Sequence, residues 1–171
     1  MNNKPSKNVI GAVNQQERLG IESWITGFTD GEGCFSVSFI KNKTAKNGWQ
    51  IFPEFVITQG EKSLPALKIF KKYFQGGNIY VNKRYDNHKE NIYRYCLRSI
   101  SELNNKIIPF FENHHLRTYK NNNFVIFAKI VRMMVEGKHQ SAKGVIKIAK
   151  LVEKMNRKKK SRFLKSSETI R

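Results

Sequence analysis

Two acids dominate the chemistry this chain can offer. Asp30 and Glu32 stand either side of Gly31 and ahead of Gly33, at the end of the run 24–33 (Trp-Ile-Thr-Gly-Phe-Thr-Asp-Gly-Glu-Gly). The residues leading into them read as a helix with two faces. Ile21, Trp24, Ile25 and Phe28 fall at i, i+3, i+4 and i+7, an apolar stripe that needs a core. Gly20, Ser23, Gly27 and Asp30 fall at i, i+3, i+7 and i+10. All four are small or short, and such a stripe lets a second, similar helix approach closely. The glycines around the acids permit a left-handed exit and a close approach of backbone to ligand. Carboxylates at a helix C-terminus oppose the macrodipole, so a hard divalent cation is the expected compensation. No other residues make a competing site. Cys34 and Cys96 form neither a disulfide framework nor a zinc set, and His88, His114, His115 and His139 lack ligand spacing.

The frame that must position these acids can be read from periodicity. The first helix is expected over residues 16–30. Residues 34–41 alternate, with Phe35, Val37 and Phe39 on one side and Cys34, Ser36, Ser38 and Ile40 on the other, as a half-buried strand does. A polar turn over 41–48 predicts a hairpin to a second strand at 50–59, where Pro53 argues for an edge or a bulge. A helix follows over 61–74, with Leu64, Leu67, Phe70 and Phe74 on one side, and Gly76 and Gly77 stop it. A second strand pair is expected at 78–84 and 92–98. Ile79 and Val81 face one way, with Tyr93, Tyr95 and Leu97 able to join them; Tyr80, Asn82, Arg84, Arg94 and Arg98 face the other. Ser101 is expected to cap a helix to 108, and Pro109 to begin a further turn. Residues 121–136 form an amphipathic helix carrying Phe124, Phe127, Ala128, Val131 and Val135, with Met133 and Met134 as core filler. Ser141 caps a last helix with Val145, Ile148, Val152 and Met155 inward, before a basic run over 156–162. The pair Glu136-Gly137 echoes the first acidic run but lacks a preceding Asp, and is no second copy.

The run 25–33 resembles the LAGLIDADG motif of the homing endonucleases. Gly27, Asp30 and Gly33 match the motif, Ile25 and Phe28 keep its apolar positions, and Glu32 keeps its acid. The order helix, two strands, helix, two strands, helices is similar to that family's αββαββα fold: an α+β domain with a four-stranded antiparallel DNA-binding sheet and C-terminal helices. The resemblance covers about 19–168 and extends to the final segment 166–171, which looks like the C-terminal segment of single-motif chloroplast-intron members. It implies site-specific hydrolysis of DNA, making a staggered double-strand break at a long, roughly palindromic target and so initiating intron homing. It implies Glu32 as metal ligand, with the Gly31 carbonyl as a second ligand from the helix exit, and Mg²⁺ as the cofactor. By the same resemblance Gln59 positions the water, Lys120 is the basic partner of the phosphate, and Asp30 holds the helix end. Two features depart from the pattern. The acid is Glu32 rather than the commoner Asp, and Lys62 and Ser63 stand where the family has a further Arg.

One motif gives one set of acids, and cutting two strands needs two. Pairing the faces of Ser23, Gly27 and Asp30 in a homodimer brings two Glu32 side chains together; pairing with another LAGLIDADG chain is the alternative. The resemblance implies double-stranded DNA as partner, and composition points to nucleic acid or another polyanion. The 171 residues carry a formal charge of +19, too basic for an ordinary soluble enzyme, while 39% apolar and 12% aromatic residues suffice for a core. The strand face expected to lack acid suits the major groove, where Arg and Asn read base edges. Its readers are expected to be Ser36, Ser38, Gln50, Tyr80, Asn82, Arg84, Arg94 and Arg98, with loops 41–46 and 84–89 on the backbone. Residues 1–16 are expected as a flexible arm or the vestige of a leader, 17–156 as one domain and 157–171 as a basic tail. No apolar run is long enough to span a membrane. Organellar origin, mitochondrion or chloroplast, follows from family habit. Two other functions use the same fold: an RNA maturase acting on host-intron RNA, and a non-cleaving DNA-binding regulator.

Overall fold

A computed structural model of the chain describes residues 7–45, 48–83 and 90–155, with side chains from residue 15 onward. Helix α1 (Lys7–Glu32) passes directly into strand β1 (Gly33–Lys41), which turns back into β2 (Trp49–Gly60). A 3-10 turn (Glu61–Ser63) leads into α2 (Leu64–Phe74), followed by β3 (Asn78–Asn82) and β4 (Ile92–Leu97). The remainder is helical: α3 (Ile100–Glu102), a π-helical turn (Leu103–Ile107), α4 (Ile108–Asn113), α5 (Lys120–Val135) and α6 (Ala142–Val152). The four strands make one antiparallel sheet in the order β1-β2-β4-β3. This is the expected α+β arrangement.

Alternation assigns the two faces of the sheet. Phe35, Val37, Phe39, Ile51, Phe55, Ile57, Tyr95 and Leu97 are buried under the helices. Aromatic rings fill the layer between: Phe35 packs against Phe55, Phe111, Phe124 and Phe127 at centroid distances of 5.2–5.5 Å. Trp24, Phe28 and Phe70 make a second cluster, at 4.9–5.7 Å, that seats α1 on α2. Large side chains of this kind supply most of the apolar area a domain of this size can bury.

Several expectations need correction. The first helix begins at Lys7, so much of the expected N-terminal arm is helical. Trp24, placed in the core stripe with fully buried Ile25, is 36% exposed. Val81 shares the parity of Ile79 but is 47% exposed, one residue from the end of β3, which is one of the sheet's two edge strands. Val135, at the last turn of α5, is 53% exposed. The helix cap expected at Ser101 is made by Ser99, whose hydroxyl accepts from the Glu102 amide at 3.3 Å. Helical residues then run on to Asn113, and the wider π-helical turn accommodates Pro109, which has no N–H to give and crowds the turn before it. Ser141 caps α6 as expected, accepting from the Gly144 amide at 3.1 Å. The Pro53 expectation holds in part. β2 is a central strand, but its ladder with β4 begins only at Phe55, so Pro53 has β1 alone beside it.

Candidate active site

The site is built where α1 becomes β1. Gly33 must be glycine for the chain to pass from helix to strand without a loop. A Cβ there would lie 2.6 Å from Thr29 Cγ2 and 2.9 Å from the Thr29 carbonyl oxygen. Glu32, one residue earlier, is exposed, and among the described residues its carboxylate has no hydrogen-bond or ion-pair partner.

Asp30 has a different role. Its carboxylate accepts from the Arg117 amide (2.6 Å), the Thr118 amide (3.2 Å) and the Thr118 hydroxyl (2.5 Å). Burial alone would raise its pKa; the Thr118 hydroxyl, the two amides and nearby Lys120 outweigh this and hold the carboxyl below the ordinary Asp value. Asp30 therefore ties the end of α1 to the segment entering α5. That tie places Lys120, the first residue of α5, over the open end of α1. Its ammonium donates to the Thr29 carbonyl at 2.8 Å and the Gly31 carbonyl at 3.1 Å. Desolvation lowers the Lys120 pKa, with Asp30, Cys34 and Glu32 acting in the opposite sense.

The helix-dipole conflict in the sequence is thus largely settled within the chain. Lys120 caps the C-terminal carbonyls of α1, and backbone amides satisfy Asp30. A cation is not needed to account for Asp30; Glu32 is the acid left over. Of the expected residues, the structure brings Gly31, Glu32 and Lys120 together. Gln59 lies at the same end of the sheet: the last β1–β2 pair is Gly33 with Ile57, and Gln59 follows two residues on, half-buried and paired with Tyr93.

The stripe beside the acids is open. Gly20, Ser23 and Gly27 are exposed, and a Cβ at Gly20, Gly27 or Gly31 would meet nothing within 4 Å. Nothing in the described fold requires glycine at these helical positions, where it costs about 1 kcal/mol against alanine. Asp30, named with Ser23 and Gly27 on this face, turns its carboxylate to the Arg117–Thr118 segment.

The outer face of the sheet carries Ser36 and Ser38 on β1, Gln50 on β2, Tyr80 and Asn82 on β3, and Arg94 on β4, with Arg98 just past its end. The register sets Ser36 opposite Glu54, Ile40 opposite Gln50, and Tyr80 opposite Arg94. Arg84, the loop 84–89 and the basic run from 156 lie outside the described residues. The expectation of an acid-free face is wrong. Glu54 stands in its middle and forms ion pairs with both Arg94 and Arg98. Running the β2 alternation through Pro53 would have found it, since Gln50, Glu54 and Thr58 share one parity. Cys96 lies beneath this cluster, 3% exposed, and burial pushes its thiol pKa up.

A second polar node was not anticipated. Glu22, nearly buried on α1, accepts from the Tyr73 hydroxyl at 2.8 Å and lies 3.2 Å from His114 Nε2. Burial, then the Glu22 bond, push the Tyr73 pKa up to about 12. It braces α1 against α2 and the end of α4. No helix of the described chain is long and apolar enough to cross a membrane.

Known proteins are similar to this chain in sequence and fold. The chain is 39% identical over 127 residues to a Neurospora crassa protein named "Probable intron-encoded endonuclease 2"; the match covers 74% of this chain and 27% of that one. The chain thus spans about a quarter of that relative's length. Among solved structures, the homing endonuclease I-TnaI matches with a TM-score of 0.76 and 38% identity, over 88% of this chain and 97% of that one. The I-LtrWI LAGLIDADG homing endonuclease, solved bound to target DNA, matches with a TM-score of 0.78 and 30% identity, over 86% of this chain and 48% of that one. The family model described as LAGLIDADG endonuclease matches residues 25–131, from the apolar half of the acidic run through most of α5. With the acid at the helix exit, the lysine latched over it and the four-stranded sheet all inside or adjoining that span, the chain belongs to the LAGLIDADG endonuclease family.

Proposed function

We propose that this chain is a site-specific DNA endonuclease that pairs through α1 and cuts both strands of a long, roughly palindromic duplex, leaving staggered ends. The observation that carries this reading is the position of Glu32. It is the one acid of the motif left without a partner among the described residues, and it adjoins a helix face on which three glycines meet open space. Two copies joined on that face would set two such acids side by side, one for each strand. The family membership and the DNA-bound relative support DNA as substrate. The Neurospora crassa relative, named as intron-encoded, supports an intron-borne gene, and with it homing and an organellar origin, as readings.

The donors present suit a hard divalent cation such as Mg²⁺. Glu32 offers a free carboxylate, and the Gly31 carbonyl, though it accepts from Lys120, keeps a second lone pair. Among the described residues no three His, Cys, Asp or Glu side chains gather to hold an ion within one copy. That fits Mg²⁺, which takes one or two carboxylates and completes its shell with phosphate oxygens and water. Bound there, the ion would supply Lewis-acid stabilisation of charge on the scissile phosphate. The chain's own groups do the rest. Lys120, fixed by two carbonyls, would offer its ammonium to the developing phosphate charge. In this reading Gln59, at the same end of the sheet, would orient a water by hydrogen bonding, and the sheet would hold the duplex in register.

A second reading concerns pairing alone. The chain covers 48% of I-LtrWI, which supports a second form of pairing, with a different domain of the same fold in place of a second copy. The deciding experiment is cleavage of a plasmid library with Mg²⁺ by the wild type and Glu32→Gln. Site-specific double-strand cuts by the wild type alone are expected. Tight binding to duplex DNA with no cutting by either would leave a DNA-binding regulator, and preference for structured intron RNA would leave a maturase.

A further inference from the structure

A carboxylate in the middle of a face that meets DNA is a liability. It repels phosphate and lowers the charge that drives binding. Glu54 is nonetheless placed there, between Ser36 on β1 and the end of β4, and its burial shows what it is for. Its side chain is only 12% exposed, whereas those of Arg94 and Arg98 are 42% and 49% exposed. The carboxylate thus lies at the floor of the face with the two guanidiniums above it. Arg94 and Arg98 are four residues apart, a strand distance of about 13 Å, yet both heads converge on this one carboxylate. Oε1 accepts from Arg94 Nη2 and Oε2 from Arg98 Nε.

That pattern of donors matters. With Nε given to Glu54, Arg98 keeps both terminal nitrogens, the edge that grips guanine O6 and N7 end-on. The Tyr80 ring, 5.7 Å from the Arg98 guanidinium, limits its swing from the β3 side. Arg94 keeps Nε and Nη1. The Glu54 carboxylate lies below both guanidiniums, 12% exposed, so it is poorly placed to reach a cytosine amine itself.

We infer that Glu54 is a specificity-determining residue: it fixes Arg94 and Arg98 as a pre-oriented pair that reads guanine in the major groove, Arg98 by a bidentate contact and Arg94 by a single one at a neighbouring base pair. This rests on the DNA-endonuclease reading above. Glu54 acts through the arginines and is a positioning residue. Its removal should therefore leave the arginines attracted to DNA but no longer selective.

The test is selection of bound sequences from a randomised duplex library, without divalent metal so that the DNA stays intact, by wild type, Glu54→Gln and Arg98→Ala. Glu54→Gln is isosteric, and a melting curve confirms its fold. The wild type should prefer guanine at two nearby positions in each half-site. Glu54→Gln should bind random duplex as tightly as the wild type or more so, with guanine preference at both positions reduced about tenfold. Arg98→Ala should lose preference at one position only, and 7-deazaguanine there should weaken the wild type but not Arg98→Ala. If Glu54 merely neutralises the surface, Glu54→Gln will bind all sequences more tightly with an unchanged base profile, which overturns the inference and leaves the endonuclease reading standing. A wild type with no base preference anywhere overturns both.

Discussion

At the scale of single residues, the two motif acids differ in what holds them, and their substitutions should differ accordingly. Glu32→Gln removes no described contact. It should abolish cleavage while leaving duplex binding and the melting temperature close to wild type, as gel-shift and thermal melts would show. Asp30→Asn weakens three hydrogen bonds at once. Because the carboxylate is only half-buried, the cost should be modest, about 1 kcal/mol, read as a lower denaturant midpoint. The Asp30 pKa is below its ordinary 3.8 in the folded state. Its contribution is therefore present above that value and disappears as pH falls through the lower folded value. Wild type and Asp30→Asn should converge in stability in that acidic window, and a difference that persists there would count against the tie. Lys120 titrates in the opposite sense of concern. Its lowered pKa means its charge is lost at a lower pH than for an ordinary lysine, so the alkaline fall in cleavage rate should come early and move upward in Lys120→Arg.

At the scale of elements, the glycines of α1 separate packing within the chain from packing beyond it. Gly33→Ala drives a methyl into Thr29 at 2.6 Å and should destabilise the isolated fold by about 1–3 kcal/mol. Gly27→Ala meets nothing within 4 Å. In dilute solution it should stabilise the single chain by up to about 1 kcal/mol, while sedimentation at higher concentration should show weaker pairing. Equal effects of the two substitutions on both readouts would remove the case for a helix–helix face. Most elements were legible because their periodicities are strong: alternation marks Phe35, Val37 and Phe39, and helical spacing marks Phe124, Phe127 and Val131. The misreadings have separate physical causes. Val81 has the right parity on a strand with no outer neighbour. Glu54 was lost because Pro53 broke the reading of β2, although the strand's alternation continues through it. The Ser99 cap was missed because Ser101 two residues later is an equally good cap by type.

At the scale of the whole molecule, a pair of chains would present twice the +19 charge of one, spread around a sheet face whose central acid is already neutralised by two arginines. Duplex affinity should fall steeply with salt, on the order of a thousandfold between 50 and 200 mM for several phosphate contacts. Glu54→Gln should change that slope far less than it changes base preference. The order of elements made the fold legible, and two separate segments, 25–33 and 116–120, pointed to Glu32 and Lys120, but neither showed how they are joined. The joint is a tertiary contact, in which Asp30 meets Thr118 across 88 positions of chain. That separation also orders events in time. During synthesis α1 emerges early with its acid complete, but the lysine that belongs beside it is made only after the sheet and α2, and is seated only when the segment at 117–118 has closed back on Asp30. A partly made or truncated chain would carry the acid without its basic partner. A chain cut short of residue 117 would leave the Asp30 carboxylate and the last carbonyls of α1 without the partners that hold them in the whole fold.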